Sequence, residues 1–229
     1  MVMTRPDVPL RHIKAVQIFA ELPEEQQAAL AAACTERFYE KDELIFLKGD
    51  QPAGLVAIIS GRVKMVCQGT SGDEKVIDVR GAREVLGEES LLLGKPYGYL
   101  ALALTKTCLL HVDRKVLYEL VDSSTQFALA MLAHMSHRIF AGMCDIENFR
   151  TRAPLERLAG FLVDHSNAAR PLQSRVNLNA PKHVIASRLG MTPESFSRCL
   201  RDMAEDRILD VRGAVITILD RERLDALVG

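Results

Sequence analysis

The stretch "GMTPESFSRCLRDM", residues 190 to 203, carries Glu194, Ser197 and Arg198 at three- and four-residue spacing. On a helix that spacing puts an acid, a hydroxyl and a guanidinium on one outward face. Arginine can donate two parallel hydrogen bonds to guanine O6 and N7, and a carboxylate can accept from cytosine N4–H. Serine can meet a base edge or a phosphate. Alone, a Glu–Arg pair four residues apart is more often a surface ion pair worth a few tenths of a kcal/mol. The choice depends on what holds the helix.

Thr192 can cap that helix through its hydroxyl, and Pro193 suits the first helical position, where its missing N–H costs nothing. The preceding segment, Lys182–Leu189, also reads as a helix and is joined through Gly190. Helix, glycine turn, helix is the pattern that presents its second helix to a major groove. "RILDV" and "VITIL" flank Gly213 as two short strands, a hairpin wing. Pro154 starts the first helix of this part, Leu155–Ser166, after the break "RTRAP".

Upstream the pattern differs. Residues 9–39 read as helical, with a Pro-Glu-Glu start in "LPEEQQAALAAAC". From Asp42 to about Val112, short apolar runs ("ELIFL", "GLVAIIS", "RVKMVC", "KVIDV", "YLALAL", "CLLHV") alternate with glycine turns from Gly49 to Gly94, Gly69 and Gly72 among them. Such spacing indicates an antiparallel sandwich or barrel. One long helix follows, Ser123 to about Arg150. Its positions Ala128, Leu132, Met135, Ile139, Gly142, Ile146 and Phe149 alternate by four and three, a coiled-coil-like seam. The seam could pack on the β region, but a helix this long outruns a small sandwich, which favours a partner chain.

Composition sets limits. The 229 residues are 48% hydrophobic, enough for one large or two modest domains. No apolar run approaches a membrane span, and the N-terminal residues lack a signal-peptide core. Five scattered cysteines without Cys-x-x-Cys spacing point away from a disulfide framework or structural zinc and toward a reducing, cytoplasmic setting. Net charge is −1, while residues 151–229 carry 12 basic against 10 acidic side chains. That argues against non-specific coating of DNA but not against a small directed contact. The sequence has no Gly-x-Gly-x-x-Gly, Walker, His-Glu-x-x-His or Gly-x-Ser-x-Gly motif. A cupin-like enzyme would need several strand histidines, and the β region has only His111. A ligand-sensing module acting without DNA is the other alternative, and the winged helix argues against it.

In this order of elements the chain resembles the Crp/Fnr family of bacterial transcription regulators, with "GDQPAGLVAIISGRVKM", "GEES" and "PESFSR" where the family has its own versions. The resemblance implies an α+β fold: an N-terminal cyclic-nucleotide-binding-like β-roll, a long dimerisation helix and a C-terminal winged helix-turn-helix. The corresponding limits are 1–122, 123–150 and 151–229. It implies a homodimer on double-stranded DNA, reading a TTGAT-type inverted repeat through the Thr192–Glu205 helix, with RNA polymerase as a further partner. Glu194, Ser197 and Arg198 match the Glu-x-x-Ser-Arg pattern of the Fnr and Dnr kind. Thr192, Ser195, Lys182, His183, Arg188, Arg201 and Arg212 are candidate further DNA contacts.

The effector pocket implied by the resemblance comprises Gly87, Glu88, Glu89, Ser90, Tyr97 and Tyr99, with Met135 and Ile139 of the long helix. Where cyclic-AMP-responsive members place an Arg-Ser pair, this chain has Gly98 and Tyr99; where they place Thr-Ser, it has Gly142 and Met143. A cyclic phosphate taken from water needs charge and hydrogen bonds in return, so cyclic AMP is not expected. An iron–sulfur cluster is not expected either, since Cys34 is the one cysteine of the N-terminal region. The Dnr-like branch is linked to nitric oxide sensing through haem. An axial ligand could come from His134 or His137, three apart on the long helix, or from His12 or His111. Haem, another small ligand and no effector at all stay open.

Overall fold

The computed structural model describes residues 3–5, 8–68, 74–166 and 174–228. Gly69 and Gly72, expected in a turn, lie outside the described residues, as does part of the loop before Lys182. The chain forms two compact units, residues 1–140 and 141–229.

The first unit runs β1 (Met3–Arg5), α1 (Leu10–Ala15), a 3-10 turn (Gln17–Phe19), α2 (Glu24–Ala33), β2 (Cys34–Tyr39), β3 (Leu44–Phe46), β4 (Gly54–Ser60), β5 (Arg62–Gln68), β6 (Glu74–Gly81), β7 (Val85–Leu86), α3 (Glu88–Leu93), β8 (Leu100–Ala103), β9 (Thr107–Asp113) and α4 (Arg114–Ser123). Two antiparallel sheets result, ordered β1-β2-β9-β4-β7 and β3-β8-β5-β6. Strand alternation explains why β4 and β9 are apolar almost throughout. Val56, Ile58 and Leu109 point into the core between the sheets, with Val63, Met65 and Ala101 opposite. Leu55, Ala57, Leu110 and Val112 point the other way, under Ile13, Phe19, Leu30 and Leu117 of the helical layer.

Two expectations are corrected here. Residues 34–39 are not helical: Cys34–Tyr39 is β2, paired antiparallel with β9 along all six residues. Its thiol, β-branched and aromatic side chains suit a half-buried strand, and the ladder outweighs continuation of α2. The expected start of the long helix at Ser123 instead ends α4. The next helix, α5, spans Thr125–Thr151. Between them Ser124 takes an extended conformation, and its hydroxyl accepts from the Phe127 N–H at 3.2 Å, a new N-cap.

The second unit contains the end of α5 and then α6 (Pro154–Asp164), β10 (Arg175–Asn177), α7 (Lys182–Arg188), α8 (Pro193–Glu205), β11 (Leu209–Arg212), β12 (Val215–Ile218) and α9 (Arg221–Ala226). The hairpin β11–β12 turns at Gly213, as expected, but β10 joins it as a third strand, in the order β10-β12-β11. Leu158 and Leu162 of α6, Ile185 of α7, Phe196 and Leu200 of α8 and Ile216 of β12 share its core. Among the described residues no helix is long and apolar enough to cross a membrane.

Candidate nucleic-acid interface and effector site

Helix α8 starts as its sequence dictates. The Thr192 hydroxyl accepts from the Ser195 N–H at 3.2 Å, and Pro193 occupies the first turn. Phe196, Cys199, Leu200 and Met203 are buried, which fixes the helix in rotation. Glu194, Ser197, Arg198 and Arg201 are all exposed on the other side. Arg198 Nη2 donates to Ser195 Oγ at 3.3 Å, so Ser195 gives its N–H to the Thr192 cap and its hydroxyl oxygen to the guanidinium. The Glu194 carboxyl is held below its ordinary range, first by its own backbone N–H and then by the Thr192 hydroxyl. An ionised carboxylate at a helix N-terminus is also favoured by the helix dipole.

The remaining candidates are dispersed. Lys182 and His183 are exposed at the start of α7, whereas Arg188 at its end is half-buried. Arg212, on the wing, donates through Nε to Asp210 at 2.9 Å.

The other candidate site is not an open pocket. Gly87 holds φ +75 ahead of α3, and a Cβ there would come within 2.5 Å of the Tyr97 ring, so only glycine fits. The Gly87 N–H donates to the Tyr99 hydroxyl at 3.2 Å. Glu88 and Ser90 are buried, and Glu89 is half-buried. Arg80 of β6 donates to both carboxylate oxygens of Glu88, at 2.9 and 3.1 Å, and also to the Val85 carbonyl. His134 Nε2 lies 3.2 Å from Glu88 Oε1. Asp78 bridges Arg80 Nε at 3.4 Å and Arg138 Nη2 at 2.9 Å. Burial pushes the Glu88 carboxyl up, but His134 and Arg80 outweigh it and hold it below the ordinary carboxylate value. Burial and then Glu89 push the Tyr99 phenol far up, so it remains a neutral hydroxyl.

Asp78, Arg80 and Arg138 are absent from the sequence-based site. Asp78 and Arg80 share a strand face by their two-residue spacing, a charged pair alternating with Ile77 and Val79, and that spacing is the signal the sequence offered. Ile139, expected in the pocket, is 62% exposed. The helix turns His134 and Arg138, four apart, toward Glu88 and Asp78, which carries position 139 away from them. Met135 is half-buried.

The haem candidates separate as well. His12 Nδ1 contacts buried Glu36, and His111 lies 3.4 Å from the Tyr39 hydroxyl. His134 and exposed His137 line one groove of about 500 Å³ with Ile18 and Ala133. Among the described residues no three His, Cys, Asp or Glu side chains group as a metal site.

Comparison with known proteins agrees with both halves. Residues 36–124 match the cyclic nucleotide-binding domain, and residues 156–227 match the Crp-like helix-turn-helix domain. The "Probable transcriptional regulator flp" of Lacticaseibacillus casei is 27% identical over 211 residues, covering 92% of this chain and 94% of that protein. The fumarate and nitrate reduction regulatory protein of Vibrio cholerae is 28% identical over 193 residues, covering 83% and 77%. In fold, the structure of FixK2 from Bradyrhizobium japonicum superposes with a TM-score of 0.76 at 23% identity, covering 86% of this chain and 98% of that one. A nucleotide-binding-type β-roll, a long helix and a winged helix-turn-helix in this order have one meaning: the chain belongs to the Crp/Fnr family of transcription regulators, which bind DNA and are not enzymes.

Proposed function

We propose that two copies of this chain bind an inverted DNA repeat with TTGAT-type half-sites, each copy reading one half-site with Glu194, Ser197 and Arg198. In this reading residues 1–122 sense, 123–150 assemble and 151–229 hold DNA, with RNA polymerase as the downstream partner. The observation that carries it is α8 itself: one face locked in the core, the other presenting an ionised acid, a hydroxyl and a braced guanidinium to solvent. Assembly is supported by α5, where Leu132, Ile139 and Ile146 are 64, 62 and 59% exposed. An apolar stripe of that kind marks an interaction surface. Titrating the protein against a TTGAT inverted-repeat duplex and a scrambled duplex of equal length tests the reading; equal affinity for both overturns it.

The sensor turn speaks against cyclic AMP. The charge and N–H that a cyclic phosphate would need are already engaged, by Glu88 and by the Tyr99 hydroxyl. A second reading, haem, rests on the groove that His134 and His137 share. An imidazole beside an open, partly apolar groove fits the donor chemistry of an axial ligand. Glu88 holds His134 Nε2, so His137 is the residue that would ligate the iron. Haem bound there would supply a coordination position for a diatomic gas. Adding haem to the purified protein and recording the Soret band checks this: His137→Ala should abolish the shifted band, and an unaltered band removes the reading.

A further inference from the structure

Arg157, on α6, lies outside the face that α8 presents, yet it reaches the turn that precedes that helix. Its Nε donates to the Leu189 carbonyl at 2.9 Å and its Nη2 to the Gly190 carbonyl at 3.3 Å. Its Nη1 donates to the Arg152 carbonyl, just past α5, at 2.7 Å. The guanidinium carbon also sits 5.9 Å from the centroid of the Phe149 ring, within cation–π range.

The end of α7 explains why those carbonyls need an outside donor. The last carbonyls of a helix have no N–H within it to meet. Helix α7 ends at Arg188, and the chain leaves it through Gly190 at φ +63, so the Leu189 and Gly190 carbonyls fall in the turn between two helices. A planar guanidinium with several donors in fixed geometry can serve both together, which a lysine cannot. Phe149 closes the same turn from another side. Gly190 holds φ +63, and a Cβ added there would lie 2.9 Å from the Phe149 ring.

We propose that Arg157 is a positioning residue for DNA reading: through the Leu189 and Gly190 carbonyls, with Phe149 against Gly190, it fixes α8 on the end of α5, without itself touching DNA. The proposal rests on the assignment of α8 as the reading helix. It predicts that loss of the fork loosens the placement of Glu194 and Arg198, and so lowers sequence discrimination more than general affinity.

Arg157→Met and Arg157→Lys test it, each checked by thermal melting. Binding is measured to the TTGAT inverted repeat, to a scrambled duplex and to duplexes that the wild type selects from a random pool, at two salt concentrations. Both variants are expected to lose roughly tenfold in the preferred-to-scrambled ratio, about one base contact's worth, with an unchanged salt slope. Amide hydrogen exchange in the free protein should quicken at Met191 and Phe196 but not at Leu158. Equal loss on all duplexes with a salt slope lower by roughly one unit would make Arg157 a phosphate contact and overturn the proposal. Full recovery in Arg157→Lys would reduce the role to charge, and unchanged discrimination with a lowered melting temperature would reduce it to packing; either overturns it. If the wild type does not prefer TTGAT, the half-site assignment fails, and the pool-selected duplexes together with hydrogen exchange still decide the role of Arg157.

Discussion

Arg80 and Glu88 form a two-oxygen ion pair, 2.9 and 3.1 Å, with side chains only 3% and 1% exposed. The sensor turn is thus closed by the chain's own cation. Burying two charges is costly, and removing one partner leaves the other uncompensated. Arg80→Met should therefore destabilise the first unit by about 3–5 kcal/mol, while Arg80→Met with Glu88→Gln should recover much of that loss. Urea unfolding followed by circular dichroism measures both. A single variant as stable as the wild type would show that the pair holds nothing.

The same closure governs the response to nucleotide. Cyclic AMP should leave DNA affinity unchanged, because its phosphate would have to displace the Tyr99 hydroxyl from the Gly87 N–H and compete with Glu88 for Arg80. Isothermal calorimetry and DNA titration with and without the nucleotide check this. Micromolar binding coupled to tighter DNA binding would overturn it.

The glycine-punctuated strands and the Thr-Pro helix start were legible because both are local signals, a two-residue alternation and a cap. What stayed hidden depends on partners distant in sequence. Cys34–Tyr39 follows α2 without a turn residue, and its strand character comes from β9, whose paired residues lie 68 to 78 positions further on. Three-residue β10 has no pattern of its own and exists as the partner of β12. Helix α9 was not expected from the sequence, although Asp220 caps its start by accepting from the Arg223 N–H at 3.0 Å. The break at Ser124 was missed, because its one local mark is a serine hydroxyl and not a glycine or proline. Of the candidate sites, the exposed face of α8 could be read from helical spacing alone. Arg157 could not, since its carbonyl partners are 32 and 33 residues away.

His111 should leave a signature in acid. Burial, and then the charge of Arg37, push its pKa down to about 4 from the ordinary 6.5. Between those values the unfolded chain binds a proton that the folded chain refuses, so stability falls as pH drops from about 6.5 toward 4. The loss is at most about 3 kcal/mol, and less to the extent that the ring edge stays wet. His111→Gln should flatten the denaturation profile in that window and leave it unchanged above pH 7. Parallel profiles for the two proteins would remove the effect.

If the α5 stripe is the contact between two copies, the protein is a dimer without DNA. Leu132→Glu and Ile139→Glu place charges in an apolar contact, at a cost of several kcal/mol. Both positions are exposed in the single chain, so the folded subunit should survive the change. Light scattering should show monomers, with melting of the subunit little altered. Intact dimers for both variants would move the contact elsewhere.

The reading helix gives the sharpest test, because its alternatives differ in form and not only in size. Arg198→Ala should cost about 1–3 kcal/mol per half-site against the cognate guanine and relax preference at that base pair. Glu194→Ala should tolerate substitution at the cytosine it faces while keeping most general affinity, since a carboxylate contributes nothing attractive to a phosphate backbone. Arg198 as a phosphate contact predicts a different pattern: all sequences weaken alike, and the salt slope drops by roughly one unit per contact. Ser195→Ala separates bracing from contact, because it removes the oxygen that steadies the guanidinium and leaves the guanidinium itself. A partial loss of discrimination in Ser195→Ala, in the same direction as Arg198→Ala, is expected. Titrating the three variants against the repeat, a guanine-substituted copy and random DNA at two salt concentrations resolves the cases. Equal loss on every duplex would return Glu194, Ser197 and Arg198 to an ordinary charged helix face.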